Sequence, residues 1–283
     1  MAETALVQEA KFNNPQSPVL DLKRTDGFFE LDRKSMKDLG SSLNQAYRTA
    51  SPFPHIVFDN FIDRDILREV DRQFPQEEKG RFSDAHSQLK TGYTLEKIRS
   101  AYIQDLFSAL NSAAFLNFLE KMTGIQGLVS DPRFVGGGLH ETRRGGHLSI
   151  HADFNTHPTM RLRRRLNLIL FLNEDWHEEW GGALELWNKG MTACEHKVMP
   201  EIGRAVIFNT DSTSYHGHPD PLECPPEVTR RSIALYYYTV PEGLRIPHTT
   251  VWKKRPGTDD KPVSLIERTN YVIRHLLGKR TEY

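Results

Sequence analysis

His147-Leu148-Ser149-Ile150-His151-Ala152-Asp153 and Leu166-Asn167-Leu168-Ile169-Leu170-Phe171-Leu172-Asn173 decide the reading of this chain. Both runs are short and rich in β-formers, and turn-forming residues flank them. That is the chemistry of strands. They belong to a set of eight such runs after about residue 132: FVGGGLHET, HLSIHAD, LNLILFLN, GALELW, HKVMP, RAVIFNT, TSYHGH and RSIALYYYT. No helical period interrupts the series. Short strands at this spacing predict an antiparallel sandwich or barrel of the jelly-roll kind.

Upstream the pattern is different. Residues 33–48 read as an amphipathic helix, and PFPHIVFDNFI (52–62) as a short strand. Asp63 is placed to cap a helix over DILREVDRQF, which Pro75 ends. Ile98, Tyr102, Leu106 and Leu110 recur at helical spacing, as do Phe115, Phe118, Leu119 and Met122. Such stripes are core-facing. Downstream, a connector rich in Pro, Gly and Lys leads to a last helix over SLIERTNYVIRHLLGK (264–279). The expected organisation is an α+β unit: an N-terminal arm and helix (1–50), a β core with helical support (51–245), and a C-terminal connector and helix (246–283) packing on the same domain.

Composition narrows the function classes. The chain has 283 residues, with 37 Lys plus Arg against 37 Asp plus Glu. This balance gives no electrostatic footprint for nucleic acid or an anionic membrane. Two cysteines, Cys194 and Cys224, make neither a disulfide framework nor a four-thiolate zinc site. The first residues lack the positive and apolar regions of a secretory signal, and no apolar run reaches the length of a membrane span. The expectation is a cytoplasmic protein, with a homodimer through the arm and outer helices as one oligomeric option.

Three sequence elements carry chemistry. His151 and Asp153 stand two apart at the end of a strand, so both project from one face. Alone this pair is weak evidence in a chain with 12 histidines. Ser214-Tyr215-His216-Gly217-His218 offers a further imidazole at the end of another run. Two imidazoles and one carboxylate occupy one side of an octahedron and leave three positions open, a set suited to iron(II). His218 competes with His216 for that place, and a zinc site using both is a second option. The third element is Thr229-Arg230-Arg231-Ser232-Ile233-Ala234-Leu235-Tyr236. An arginine opening a buried strand calls for an anionic partner. Alternation puts Arg230, Ser232, Ala234 and Tyr236 on a small, polar face and Arg231 on the apolar one, which favours Arg230 as the inward cation.

The order of His151-x-Asp153, His216-Gly217 and Arg230-x-Ser232 resembles the prolyl 4-hydroxylase-like branch of the 2-oxoglutarate and iron(II) dioxygenases. The intervening Arg165-Leu166-Asn167-Leu168, Leu172-Asn173, Trp176 and Gly181-Gly182-Ala183-Leu184 are similar to that branch's core segment. So is the opening Pro54-His55-Ile56-Val57-Phe58-Asp59. The resemblance spans about residues 52–240 and implies a double-stranded β-helix, Fe(II), 2-oxoglutarate and O2. It implies His151, Asp153 and His216 as metal ligands, and Arg230 with Ser232 at the distal carboxylate of 2-oxoglutarate. Many relatives carry tyrosine where Phe171 stands, so Asn167, on the same strand face, is the candidate substitute. A carboxylate at 153 argues for hydroxylation over halogenation, because halogenases of the family leave that position open.

The expected activity is hydroxylation of a C–H bond in a small molecule, with release of succinate and CO2. A peptide or protein side chain such as proline is the alternative substrate. A non-catalytic jelly-roll binding module and a metal-dependent cupin hydrolase or isomerase are readings of other classes. The run Arg161-Leu162-Arg163-Arg164-Arg165 reads either as a solvated sheet edge or as a patch that steers an anionic substrate.

Overall fold

The computed structural model describes residues 11–13, 17–76, 81–82, 86–243 and 247–261. The expected helix over 264–279 and residues 1–10 and 14–16 of the N-terminal arm lie outside the described residues. In chain order the elements are β1 (Lys11–Asn13), β2 (Lys23–Thr25), β3 (Phe28–Glu30), α1 (Arg33–Arg48), β4 (His55–Asp59), α2 (Arg64–Arg72), β5 (Arg81–Phe82), β6 (Ser87–Tyr93), α3 (Ala101–Leu110) and α4 (Ala113–Thr123). There follow β7 (Val129–Ser130), β8 (Gly138–Ala152), β9 (Arg163–Phe171), β10 (Leu184–Trp187), β11 (Cys194–Val198), β12 (Ala205–Asn209), β13 (Tyr215–His218), β14 (Thr229–Thr239) and β15 (Val251–Trp252).

The helices begin where side-chain oxygens can take their orphan amides. Asp32, Asp63, Ser100 and Ser112 each accept a backbone N–H at the start of α1, α2, α3 and α4. The helix α4 stops at Gly124, whose φ of 77° needs no Cβ in its way. Its stripe of Phe115, Phe118, Leu119 and Met122 is fully buried, each side chain contributing about 1.5–3 kcal/mol of gross hydrophobic stabilisation. Gly40 lies inside α1, where glycine is otherwise unfavourable. Any Cβ there would collide with the Phe118 carbonyl of α4, so the close crossing of the two helices requires it.

The main sheet runs β1-β4-β12-β9-β14-β8-β13-β10-β11, with β6 and β15 also on β8. Apart from the parallel β1–β4 pair these pairings are antiparallel. Two of the expected runs, FVGGGLHET and HLSIHAD, merge into the one long strand β8. Its first half pairs with β14, from Gly138 opposite Ala234 to Arg143 opposite Thr229. Its second half pairs with β13. The strand therefore passes from one wall to the other, and the sheet curls into the double-stranded β-helix.

The two faces hold different cores. Leu166, Leu168 and Leu170 of β9, with Ile233, Leu235 and Tyr237 of β14, join the helices in one large cluster. On the opposite face Ile169 and Phe171 meet Val57, Val206, Phe208, Leu184 and Leu186 between the walls. The period of two of a strand makes this division. The expectation that Arg161–Arg165 forms a sheet edge is corrected here, since β9 lies between β12 and β14. No described helix is long and apolar enough to cross a membrane.

Candidate active site

The site forms where β8 ends beside β13. His216 stands directly opposite His151 across that pair, and Asp153 follows two residues after His151. One ligand atom from each of the three lies within 4.8 Å of the others. Nε2 of His151 is 3.6 Å from Asp153 Oδ1, and Nε2 of His216 is 3.5 Å from Asp153 Oδ2. Both histidines are buried, at 5% and 4% exposure. His218, the rival reading, is not part of this cluster.

Both imidazoles are fixed in the same way. Nδ1 of His151 lies 2.9 Å from the Ser149 carbonyl, and Nδ1 of His216 lies 3.0 Å from the Ser214 carbonyl. A carbonyl only accepts, so each Nδ1 donates a proton to it and each Nε2 is the ring atom turned towards Asp153. Burial pushes the His216 imidazole down to about 4, which keeps it neutral at neutral pH. Burial works against ionisation of Asp153, but the Arg164 guanidinium and the two imidazoles hold its carboxyl well below the usual range. Two imidazole nitrogens and one ionised carboxylate converging on one point could hold iron(II).

Arg164 anchors the carboxylate. It is 1% exposed, lies 3.1 Å from Asp153 Oδ2, and rests over the Tyr236 and Phe154 rings at 3.4 and 4.6 Å. Asn167 completes the unit. Its Nδ2 donates to Asp153 Oδ2 at 2.8 Å, and its Oδ1 accepts from Arg164 Nε and Nη2 at 3.0 and 2.6 Å. Asn167 thus stands beside Asp153 with its amide engaged, and orients that carboxylate.

Arg230 lies on the inner face with Ser232, both buried. Its Nε donates to the Gly182 carbonyl at 2.7 Å, and its guanidinium lies 5.0 Å from the Phe171 ring. No described carboxylate pairs with it, and burial pulls it down to about 9. Arg231 points the other way, paired with Glu141 and Asp71 and set over Phe74. The difference between the two arginines is the one strand alternation requires.

Sequence reasoning missed three neighbours. Arg164 turns inward because the β9–β14 register shifts between Tyr237 and Tyr238. Regular alternation would send it outward with Leu166 and Leu168, and a single sequence carries no sign of the bulge. Trp252 of β15 lies opposite His151, 5.0 Å from its ring, with His86 stacked on it at 4.8 Å. Lys90 reaches the same interior from β6. By contrast Trp187 packs with Ile150, Met191 and Tyr215, and His157 pairs with Asp131.

Comparison with known proteins agrees with this arrangement. A family model described as the 2OG-Fe(II) oxygenase superfamily matches residues 137–238, which span β8 to β14. No curated protein matches the sequence. A prolyl-4-hydroxylase structure from Pseudomonas putida is similar, with TM-score 0.50 and 15% identity over 71% of this chain and 99% of that one. A Trichoplax adhaerens prolyl hydroxylase, solved with a peptide fragment of the hypoxia inducible factor oxygen degradation domain, gives TM-score 0.53 and 17% identity over 72% and 91%. At such identity these two likenesses bear on the fold. The double-stranded β-helix, the buried His-Asp-His cluster and the family-model match together identify residues 137–238 as a domain of the 2OG-Fe(II) oxygenase superfamily.

Proposed function

We propose that this enzyme hydroxylates a C–H bond of a small molecule, with His151, Asp153 and His216 holding iron and Arg230 with Ser232 receiving the distal carboxylate of 2-oxoglutarate. The observation that carries the small-molecule reading is enclosure. His151, His216, His218, Asn167, Arg230 and Ser232 are each no more than 6% exposed. Trp252 and His86 cover the histidine side of the cluster. An extended polypeptide needs an open groove, whereas this interior suits a compact ligand surrounded on most sides.

The chain's own residues position and exclude. The carbonyls of Ser149 and Ser214 set the two imidazoles, and Arg164 with Asn167 sets the carboxylate, before any ligand arrives. Arg230 carries two terminal nitrogens with no described protein partner, which fit a carboxylate in a forked geometry. Asn167, first considered for the 2-oxoglutarate tail, is better assigned to Asp153, because its amide is engaged there. Phe171, Phe208 and Trp252 supply apolar walls that keep water out. Bound iron with 2-oxoglutarate and O2 supplies the oxidation, one oxygen atom entering the substrate as succinate and CO2 leave.

The test is succinate release by iron-loaded protein presented with two panels, one of small organic acids, sugars and amino acids, the other of proline-containing peptides. Stimulation by a member of the first panel alone supports the reading. Stimulation by peptides alone replaces it with the protein-modifying alternative.

A further inference from the structure

Lys90 is a cation that the proposed function leaves unused. It stands on β6 opposite Thr142 of β8, and Thr142 stands opposite Arg230 of β14. The three residues form one row across adjacent strands, so Lys90 and Arg230 share the inner face. The row beside it holds Gly92, His140 and Ser232. A register shift between Gln88 and Lys90 accompanies a left-handed Leu89, φ 50°, a conformation uncommon outside glycine. Bulges of this kind re-aim a side chain at functional sites.

Lys90 is half-buried and has no carboxylate partner among the described residues. Burial, and then the Arg230 charge, draw its ammonium down to about 8. His140, half-buried, and His218, buried, lie nearby, and burial together with these same cations holds both imidazoles well below the usual range. Among the described residues the interior therefore offers Lys90, Arg230 and Arg164 against one acid, Asp153. Iron(II) and 2-oxoglutarate carry equal and opposite charge, so their arrival leaves this excess of two positive charges in place. A buried guanidinium beside a half-buried ammonium favours the arrival of an opposite charge.

We infer that Lys90 binds an anionic group, a carboxylate or phosphate, of the molecule that is hydroxylated, so that the primary substrate is itself an anion. The inference rests on the oxygenase reading of the site and on Arg230 as the anchor for 2-oxoglutarate.

The experiment uses protein loaded with nickel(II), which holds the site without turnover, and measures 2-oxoglutarate binding by calorimetry. The nickel and 2-oxoglutarate complex is then titrated with inorganic phosphate, and separately with acetate. Wild-type protein should bind at least one of these anions. Lys90→Met should weaken that binding about tenfold or more while changing 2-oxoglutarate affinity less than about threefold, and Lys90→Arg should retain it. The thermal midpoint of Lys90→Met without ligands should equal or exceed that of wild type, since a half-buried cation repelled by Arg230 is removed. Three results overturn the inference. One is loss of 2-oxoglutarate affinity in Lys90→Met, which would make Lys90 a second anchor for the co-substrate. Another is anion binding equal in wild type and Lys90→Met, and the third is no anion binding in either. Failure of wild-type protein to bind 2-oxoglutarate at all would instead sink the oxygenase site itself, and this inference with it.

Discussion

Replacing Arg164 by Met tests how the carboxylate of the site is held. Arg164 is buried, ion-paired to Asp153 at 3.1 Å, and bonded twice to Asn167. Met preserves much of the apolar stem over Tyr236 and Phe154, so the loss is chiefly electrostatic. Removing one partner of a buried ion pair strands the other, at about 3–5 kcal/mol. For a chain of this size that lowers the thermal midpoint on the order of 10 °C. The assay is unfolding of metal-free protein for wild type, Arg164→Met, Asp153→Asn and the double variant. If the stranded carboxylate is the cause, the double variant recovers most of the loss, and the cycle gives a coupling of about 2 kcal/mol or more. The acid range gives a second check. Asp153 has a depressed folded pKa, so its ionised form contributes stability above the unfolded value of 3.8, and that contribution is lost as pH falls below it. The gap between wild type and Arg164→Met should therefore narrow below about pH 4. Additive losses in the cycle, or a gap that stays constant into acid, would refute the reasoning.

Three further predictions concern the same site. Asp153→Ala should lose iron binding by metal titration and with it 2-oxoglutarate turnover, while near-normal values for both would remove Asp153 from the ligand set. Arg230→Met should weaken 2-oxoglutarate binding about 30-fold or more. It should also leave the ligand-free thermal midpoint unchanged or higher, because the native guanidinium is buried without a described carboxylate. Gly217→Ala places a Cβ 2.7 Å from the Leu148 carbonyl and 2.8 Å from the Ser149 carbonyl. The latter orients His151, so metal affinity should fall about 10–100-fold, as it does when outer partners of a ligand are disturbed.

Much of this architecture was legible in the residues. LNLILFLN reads as a strand, and a strand's period of two separates Leu166, Leu168 and Leu170 in one core from Ile169 and Phe171 in the other. The Asp63 cap is read from side-chain chemistry local to the helix start, and Asp32, Ser100 and Ser112 cap their helices by the same chemistry. The spacing of His151 and Asp153, and the parity that separates Arg230 from Arg231, follow from the strand period alone. These features are local, because a strand's two faces and a helix's first turn are fixed within a few residues.

What the tertiary structure decided lies at the irregularities. The shift at Tyr237–Tyr238 turns Arg164 towards Asp153, and the shift at Leu89 accompanies Lys90 in the row with Arg230. The shift between His216 and His218 interrupts the register where His216 meets His151. Each depends on how two strands far apart in sequence align, and one inserted residue reverses which face a side chain takes. The sequence determined which residue types could build a metal and anion site. The long-range pairing of β6, β8, β9, β13 and β14 determined which of them meet.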